Sequence, residues 1–189
     1  VPLVDEILVI DDGSVDDTDR VARAAGARVE YTAELLPELG PGTGKGEALW
    51  KGLAIAKGDI IVWCDADVTN FGQRFVVGLL GPLLTDPSVG FVKGFYDRPV
   101  DGKPGTGGRN TELVARPLLA ALRPELTCLL QPLGGEYAGT RELLTAVPFA
   151  PAYGVEIGLL IDTYDRLGLD AIAQVNLGVR THRNRPITE

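Results

Sequence analysis

The sequence predicts an α/β fold: a mainly parallel sheet flanked by helices, with its ligand site beyond the carboxyl ends of the strands. Three observations carry this. Short apolar runs alternate with segments of helical periodicity, as strand–helix–strand units require. Two acidic clusters, "DDGS" and "DAD", each directly follow an apolar run. Glycine and proline are plentiful, 24 and 13 residues, which suits many tight connections.

The first strand is "EILVI", Glu6 to Ile10. It stops at the turn formers "DDGSVDDT", where Asp16, Asp17 and Thr18 offer cap chemistry for a helix. "DRVARAAGA" is helical, with Val21, Ala24 and Ala25 on one side and Gly26 closing it. "ARVEY" is a second strand, and the Gly/Pro-rich loop "LPELGPGTGKGEALW" follows. From Gly46 a helix spaces Ala48, Leu49, Leu53 and Ala54, and Gly58 is expected to end it. "DIIVWCDAD" is the third strand, delivering Asp65 and Asp67 at its carboxyl end. Both acidic clusters are therefore expected on one rim, where open α/β sheets bind ligands.

The second half is less regular. "FVVGLLGPLL" (75–84) reads as a helix with Pro82 near its end, and "VGFVKGFY" (89–96) as a strand. A polar, Gly-rich loop spans 97–110, and 111–126 is helical with a kink expected at Pro117. Residues 130–149 hold a turn and then a helix, and helical spacing resumes from Val155. "IAQVNLGV" (172–179) is the last strand, and "RTHRNRP" (180–186) reads as a basic tail.

With 189 residues and 45% hydrophobic content, the chain is expected to form one domain with a real core. A net charge of −8 argues against nucleic-acid and anionic-membrane partners, so an anionic ligand needs a local basic pocket. The two cysteines, Cys64 and Cys128, suggest neither a disulfide framework nor a zinc site, and Cys64 reads as a small core residue. The cysteine usage points to the cytoplasm. No apolar run approaches the ~20 residues of a membrane span, and no signal peptide is visible.

Asp65 and Asp67 flank one small residue, and two carboxylates that close resist joint ionisation unless a cation stands beside them. A hard divalent ion with oxygen ligands meets that need. The competing reading is an acidic loop that caps the next helix at Asn70. "DDGS" is either a simple turn or a rim able to bond a base or ribose hydroxyl. Lys45, between Gly44 and Gly46 at a helix start, suits a phosphate, although a surface lysine would look the same. Arg109 in "TGGRNT" would make an anion cradle with the backbone N–H groups around it, or else is an arginine at a helix end. His182, the only histidine, follows a strand among basic residues and is either a metal ligand or a surface residue.

A strand ending in "DAD", preceded by "IDDGSVDDT", resembles the nucleotide-sugar-binding half of a GT-A glycosyltransferase. The blocks "PGTGKGEALWKGL", "TGGRNTELVARPLLAALRPEL", "LQPLGGEYAGTRELL" and "FAPAYGVEIGLLIDTYDRLGLDAIAQVNLGVRTHRNRP" are similar to the glucosyl-3-phosphoglycerate and mannosyl-3-phosphoglycerate synthase family over nearly the whole chain. The resemblance implies transfer of a hexosyl group from a nucleoside diphosphate sugar to the 2-hydroxyl of 3-phosphoglycerate, with retention of configuration. It implies Mg²⁺, or Mn²⁺ or Co²⁺, held by Asp67 and His182, and a homodimer. Asp12, Lys45, Asp65, Glu136 and Tyr153 look like donor contacts, with Asp65 on the ribose side and Tyr153 at the diphosphate. Gly108, Arg109, Thr111 and Asn184 look like the acceptor site. Leu133 falls in a turn whose backbone would line the donor sugar, with Glu136 and Glu156 nearby. No general base is evident. Front-face substitution, in which the leaving diphosphate takes the acceptor's proton, is the expected route. Double displacement through Glu156 is the alternative.

Relative to the family pattern, the chain is expected to lack the first strand and the C-terminal helices, and the 97–110 loop is short. Residues 1–96 would form the nucleotide-sugar half and 97–189 the acceptor half of one domain. Base choice then rests largely outside the residues seen here, so UDP- and GDP-sugars are both expected to turn over. Two other classes remain open: a nucleotide-sugar-binding or regulatory module without transfer, and a sugar nucleotidyltransferase.

Overall fold

The computed structural model describes residues 2–40, 42, 44–99, 108 and 110–181. The chain packs as two compact units, one of residues 1–61 and 140–162, the other of residues 62–139 and 163–189.

In the first unit, β1 (Leu8–Asp11) and β2 (Arg28–Tyr31) pair in parallel, with Leu8 opposite Arg28 and Asp11 opposite Tyr31. Helix α1 (Thr18–Ala24) connects them and ends before Gly26, whose φ of +90° suits glycine. Its entry is shaped by Asp16, whose carboxylate accepts the Thr18 N–H at 3.0 Å. Helix α2 (Lys45–Ile55) buries Gly46, Lys51, Gly52 and Leu53. It ends at Ile55, earlier than Gly58 would end it. Arg141, first residue of α5 (Arg141–Thr145), explains this. Its guanidinium donates to the carbonyls of Leu53 (3.2 Å), Ala56 (2.6 Å) and Gly58 (2.8 Å), taking groups that a continuing helix would use. Helix α6 (Val155–Leu167) begins in this unit after a 3₁₀ turn, Ala152–Gly154.

The second unit holds most of a four-stranded sheet of order β3-β5-β4-β6, built from β3 (Ile60–Trp63), β4 (Phe91–Asp97), β5 (Tyr137–Thr140) and β6 (Ile172–Val179). β6 runs parallel to β4, but β5 is antiparallel to it, so the sheet is mixed. Residues 130–149 were expected to give only a turn and a helix. "YAGT" carries no apolar alternation and two weak strand formers, and it becomes a strand only because its neighbours supply the ladder. Helix α3 (Gln73–Thr85) lays Phe75 and Leu79 against Val92, Tyr96, Ala138 and Leu177, which form the core of this unit. The helical stretch changes its hydrogen-bonding pattern just before Pro117, from a π-helical turn at Thr111–Ala115 to α4 (Arg116–Leu122).

Candidate functional site

Asp11 and Asp12 leave β1 with different tasks. Asp11 is buried and folds the turn, its Oδ1 accepting the N–H groups of Gly13 (2.9 Å) and Ser14 (2.7 Å). Asp12 is exposed and reaches the Gly44 N–H at 2.8 Å, tying the glycine loop to the end of β1. Gly44, at φ +92°, starts α2. A side chain at Gly46 would strike the Ala150 carbonyl, so glycine is required there. Between these glycines, Lys45 Nζ lies 2.6 Å from the nearly buried carboxylate of Glu156, at the start of α6. Tyr153, 82% exposed, follows Ala152, whose φ of +53° is strained for an alanine. The first unit thus presents an ammonium and a phenol on short turns around two helix starts.

In the second unit, β3 delivers Asp65 and Asp67, and Arg180, just past β6, receives both. Its Nη2 donates to Asp65 Oδ2 and to Asp67 Oδ1, each at 3.0 Å. Its Nε donates to Glu136 Oε1 at 2.9 Å, and the Glu136 side chain is fully buried. Burial acts to lower the Arg180 pKa, but Glu136, Tyr96, Asp65 and Asp67 together raise it, so the guanidinium stays charged. One cation beside the aspartate pair is therefore supplied by the chain itself. Asn70 does not cap the next helix, which starts after Gly72. Its amide donates to the Val179 carbonyl at 2.8 Å and its Oδ1 accepts the Thr181 N–H at 2.9 Å, fastening the stretch that carries Arg180.

The turn Gln131–Glu136 completes this cluster. A side chain at Gly135 would collide with the Asp65 carboxylate. Leu133 is half-buried within the turn. Tyr96, below it, accepts a hydrogen bond from Arg98 at 2.7 Å, and its pKa is raised by burial and then by Glu136, so the phenol stays neutral. Cys64 packs against the core, and burial, then the charges of Glu136 and Asp65, push its thiol up to about 12.

Gly108 accepts the N–H groups of Thr111 (2.9 Å) and Glu112 (3.2 Å), so these two amides serve the helical turn rather than standing open for an anion. Arg109, His182 and Asn184 lie outside the described residues. Among the described residues, no three His, Cys, Asp or Glu side chains converge as a metal site, and no helix is long and apolar enough to cross a membrane. Arg180 was missed as a site residue because it reads as the start of a basic tail. Its position directly after a strand, like that of "DAD", was the available signal.

Residues 2–149 match the model of Glycosyl transferase family 2. The chain is 66% identical over 191 residues to a glucosyl-3-phosphoglycerate synthase of Mycolicibacterium smegmatis, covering 99% of this chain and 63% of that protein. It is 54% identical over 190 residues to one of Petrotoga mobilis, covering 98% and 58%. The crystal structure of glucosyl-3-phosphoglycerate synthase from Mycobacterium tuberculosis in complex with Mn²⁺, UDP-glucose and phosphoglyceric acid is similar with a TM-score of 0.90 at 63% identity, covering 98% of this chain and 63% of that one. A complex of that synthase with Mn²⁺, UDP and glucosyl-3-phosphoglycerate gives a TM-score of 0.89 at 62% identity, with 98% and 63% covered. The chain spans about three-fifths of the length of the curated relatives it matches.

Proposed function

The chain belongs to glycosyl transferase family 2, and on that premise we propose that it is a retaining hexosyltransferase that moves glucose from UDP-glucose to the 2-hydroxyl of 3-phosphoglycerate. The observation that carries this reading is the Asp65–Asp67 pair at the end of β3, held by Arg180 in a chain 66% identical to a glucosyl-3-phosphoglycerate synthase. Within it, residues 1–96 mainly serve the donor and 97–189 mainly the acceptor.

Asp12, Lys45, Asp65 and Tyr153 contact the donor, and Gly108, Arg109, Thr111 and Asn184 hold the acceptor. Glu136 acts through Arg180, given its complete burial. Lys45 carries the positive charge that a departing diphosphate needs, and Glu156 fixes its position. That commitment of Glu156 to Lys45 favours the front-face route over double displacement. A hard divalent ion fits the donor set: Arg180 engages Asp67 through Oδ1, and the Asp67 side chain is 53% exposed, leaving carboxylate oxygen for a metal. Asp67 and His182 would hold Mg²⁺, Mn²⁺ or Co²⁺, which supplies charge neutralisation at the diphosphate. The enzyme acts in the cytoplasm as a homodimer.

Incubation with UDP-glucose, GDP-mannose, 3-phosphoglycerate and Mg²⁺ tests the class of activity. Release of a nucleoside diphosphate together with a glycosylated acceptor is expected. In a parallel incubation supplied with pyrophosphate, formation of nucleoside triphosphate and sugar 1-phosphate instead would mark a nucleotidyltransferase, and neither outcome would mark a binding module.

A further inference from the structure

The turn that carries Leu133 contains two consecutive glycines, Gly134 and Gly135. A side chain at Gly135 would displace the Asp65 carboxylate that Arg180 holds. Two adjacent glycines leave the backbone free to swing, so the turn needs an outside restraint to keep one conformation. Buried polar groups of β4 supply it. At one end, the Gln131 carboxamide donates to the Tyr96 carbonyl at 2.6 Å and accepts the Tyr96 N–H at 3.3 Å. At the other end, the Gly94 N–H donates to the Glu136 carbonyl at 2.9 Å. In the middle, Lys93 Nζ donates to the Gly134 carbonyl at 2.5 Å and lies 4.4 Å from the centroid of the Tyr137 ring.

Lys93 is 1% exposed, on a strand whose residues Phe91 and Val92 are fully buried. An ammonium in such a place is costly unless bonded, and a methionine or leucine would fill the strand without that cost. What a lysine adds is a charged donor aimed at the middle of the glycine pair.

We propose that Lys93 is a positioning residue. It locks the Gly134–Gly135 hinge, and through it sets the Leu133 backbone against the donor sugar. The reference to the sugar rests on the function proposed above; the locking of the hinge does not.

The test compares the wild-type full chain with Lys93→Met, or with Lys93→Leu should the methionine variant not fold. Both keep an apolar stem and remove the donor. Hydrogen exchange over residues 131–136 is expected to rise about tenfold or more, with α3 and β6 unchanged. Affinity for UDP with Mn²⁺ should stay within about twofold. The extra affinity of UDP-glucose over UDP should shrink, and kcat should fall about tenfold or more, as a misplaced reacting group requires. Wild-type exchange in the turn would overturn the proposal. So would parallel weakening of UDP and UDP-glucose, which marks a general structural role. A wild-type chain that binds no UDP-glucose would refute the proposed function instead, and the exchange result would still decide the role of Lys93.

Discussion

Asp65 and Asp67 each lie 3.0 Å from one nitrogen of Arg180, and the other face of that guanidinium is spent on Glu136. The Arg180 side chain is 3% exposed and that of Glu136 is 0% exposed. Removing one partner of such a pair leaves the other buried and uncompensated. Arg180→Met should therefore cost about 3–5 kcal/mol of stability in denaturant titration. The double variant Arg180→Met/Glu136→Gln should recover most of that loss, and a double variant no more stable than the single would show that Glu136 is not the group left stranded. Cys64 gives a second prediction at this scale. Its thiol pKa is raised to about 12, with burial the main cause, so the neutral thiol persists in the folded chain at pH 8, while exposed Cys128 is accessible. A thiol reagent at pH 8 should modify exposed Cys128 quickly and half-buried Cys64 much more slowly; equally fast modification of both would contradict the raised thiol pKa of Cys64. The aspartates were legible in the sequence as a pair in need of a cation. The part played by Arg180 was not, because it lies over a hundred positions away and only the sheet brings it near.

Helix α2 shows how one side chain sets an element. Arg141 closes three carbonyls at 2.6–3.2 Å, and these would otherwise be orphaned at the helix end. Arg141→Met should cost about 2–4 kcal/mol, since hydrogen bonds to a charged group are worth more than neutral ones. Circular dichroism and urea unfolding read both the frayed helix and the lost stability; a change below about 0.5 kcal/mol, the scale of an ordinary surface substitution, would show the cap is incidental. Elements with strong periodicity were legible from sequence: α6 from Val155 and β6 over Ile172–Val179 fall where the pattern places them. β5 was not. Tyr137 and Thr140 favour a strand, but Ala138 and Gly139 between them do not, and the antiparallel ladder with Phe91–Lys93 decides their conformation. The end of α2 escaped for a similar reason, since its cap comes from a residue far along the chain.

At the scale of the whole molecule, a net charge of −8 must coexist with the anionic ligands proposed for the chain. The chain manages this locally, placing its cations beside carboxylates: Lys45 with Glu156, and Arg180 with Asp65, Asp67 and Glu136. Each cation is thereby fixed before a ligand arrives, which is what electrostatic preorganisation requires. The most direct measurement is an NMR assay of UDP-glucose, 3-phosphoglycerate and Mg²⁺ with the wild-type chain and with Asp67→Ala. The wild type should yield UDP and an α-linked glucosyl product. Asp67→Ala should unfold at a similar temperature, because Arg180 keeps Asp65 and Glu136, yet turn over about 10³-fold more slowly, a loss of about 4 kcal/mol in transition-state stabilisation. Undiminished turnover by Asp67→Ala in the presence of chelator, or no UDP from the wild type, would contradict the account.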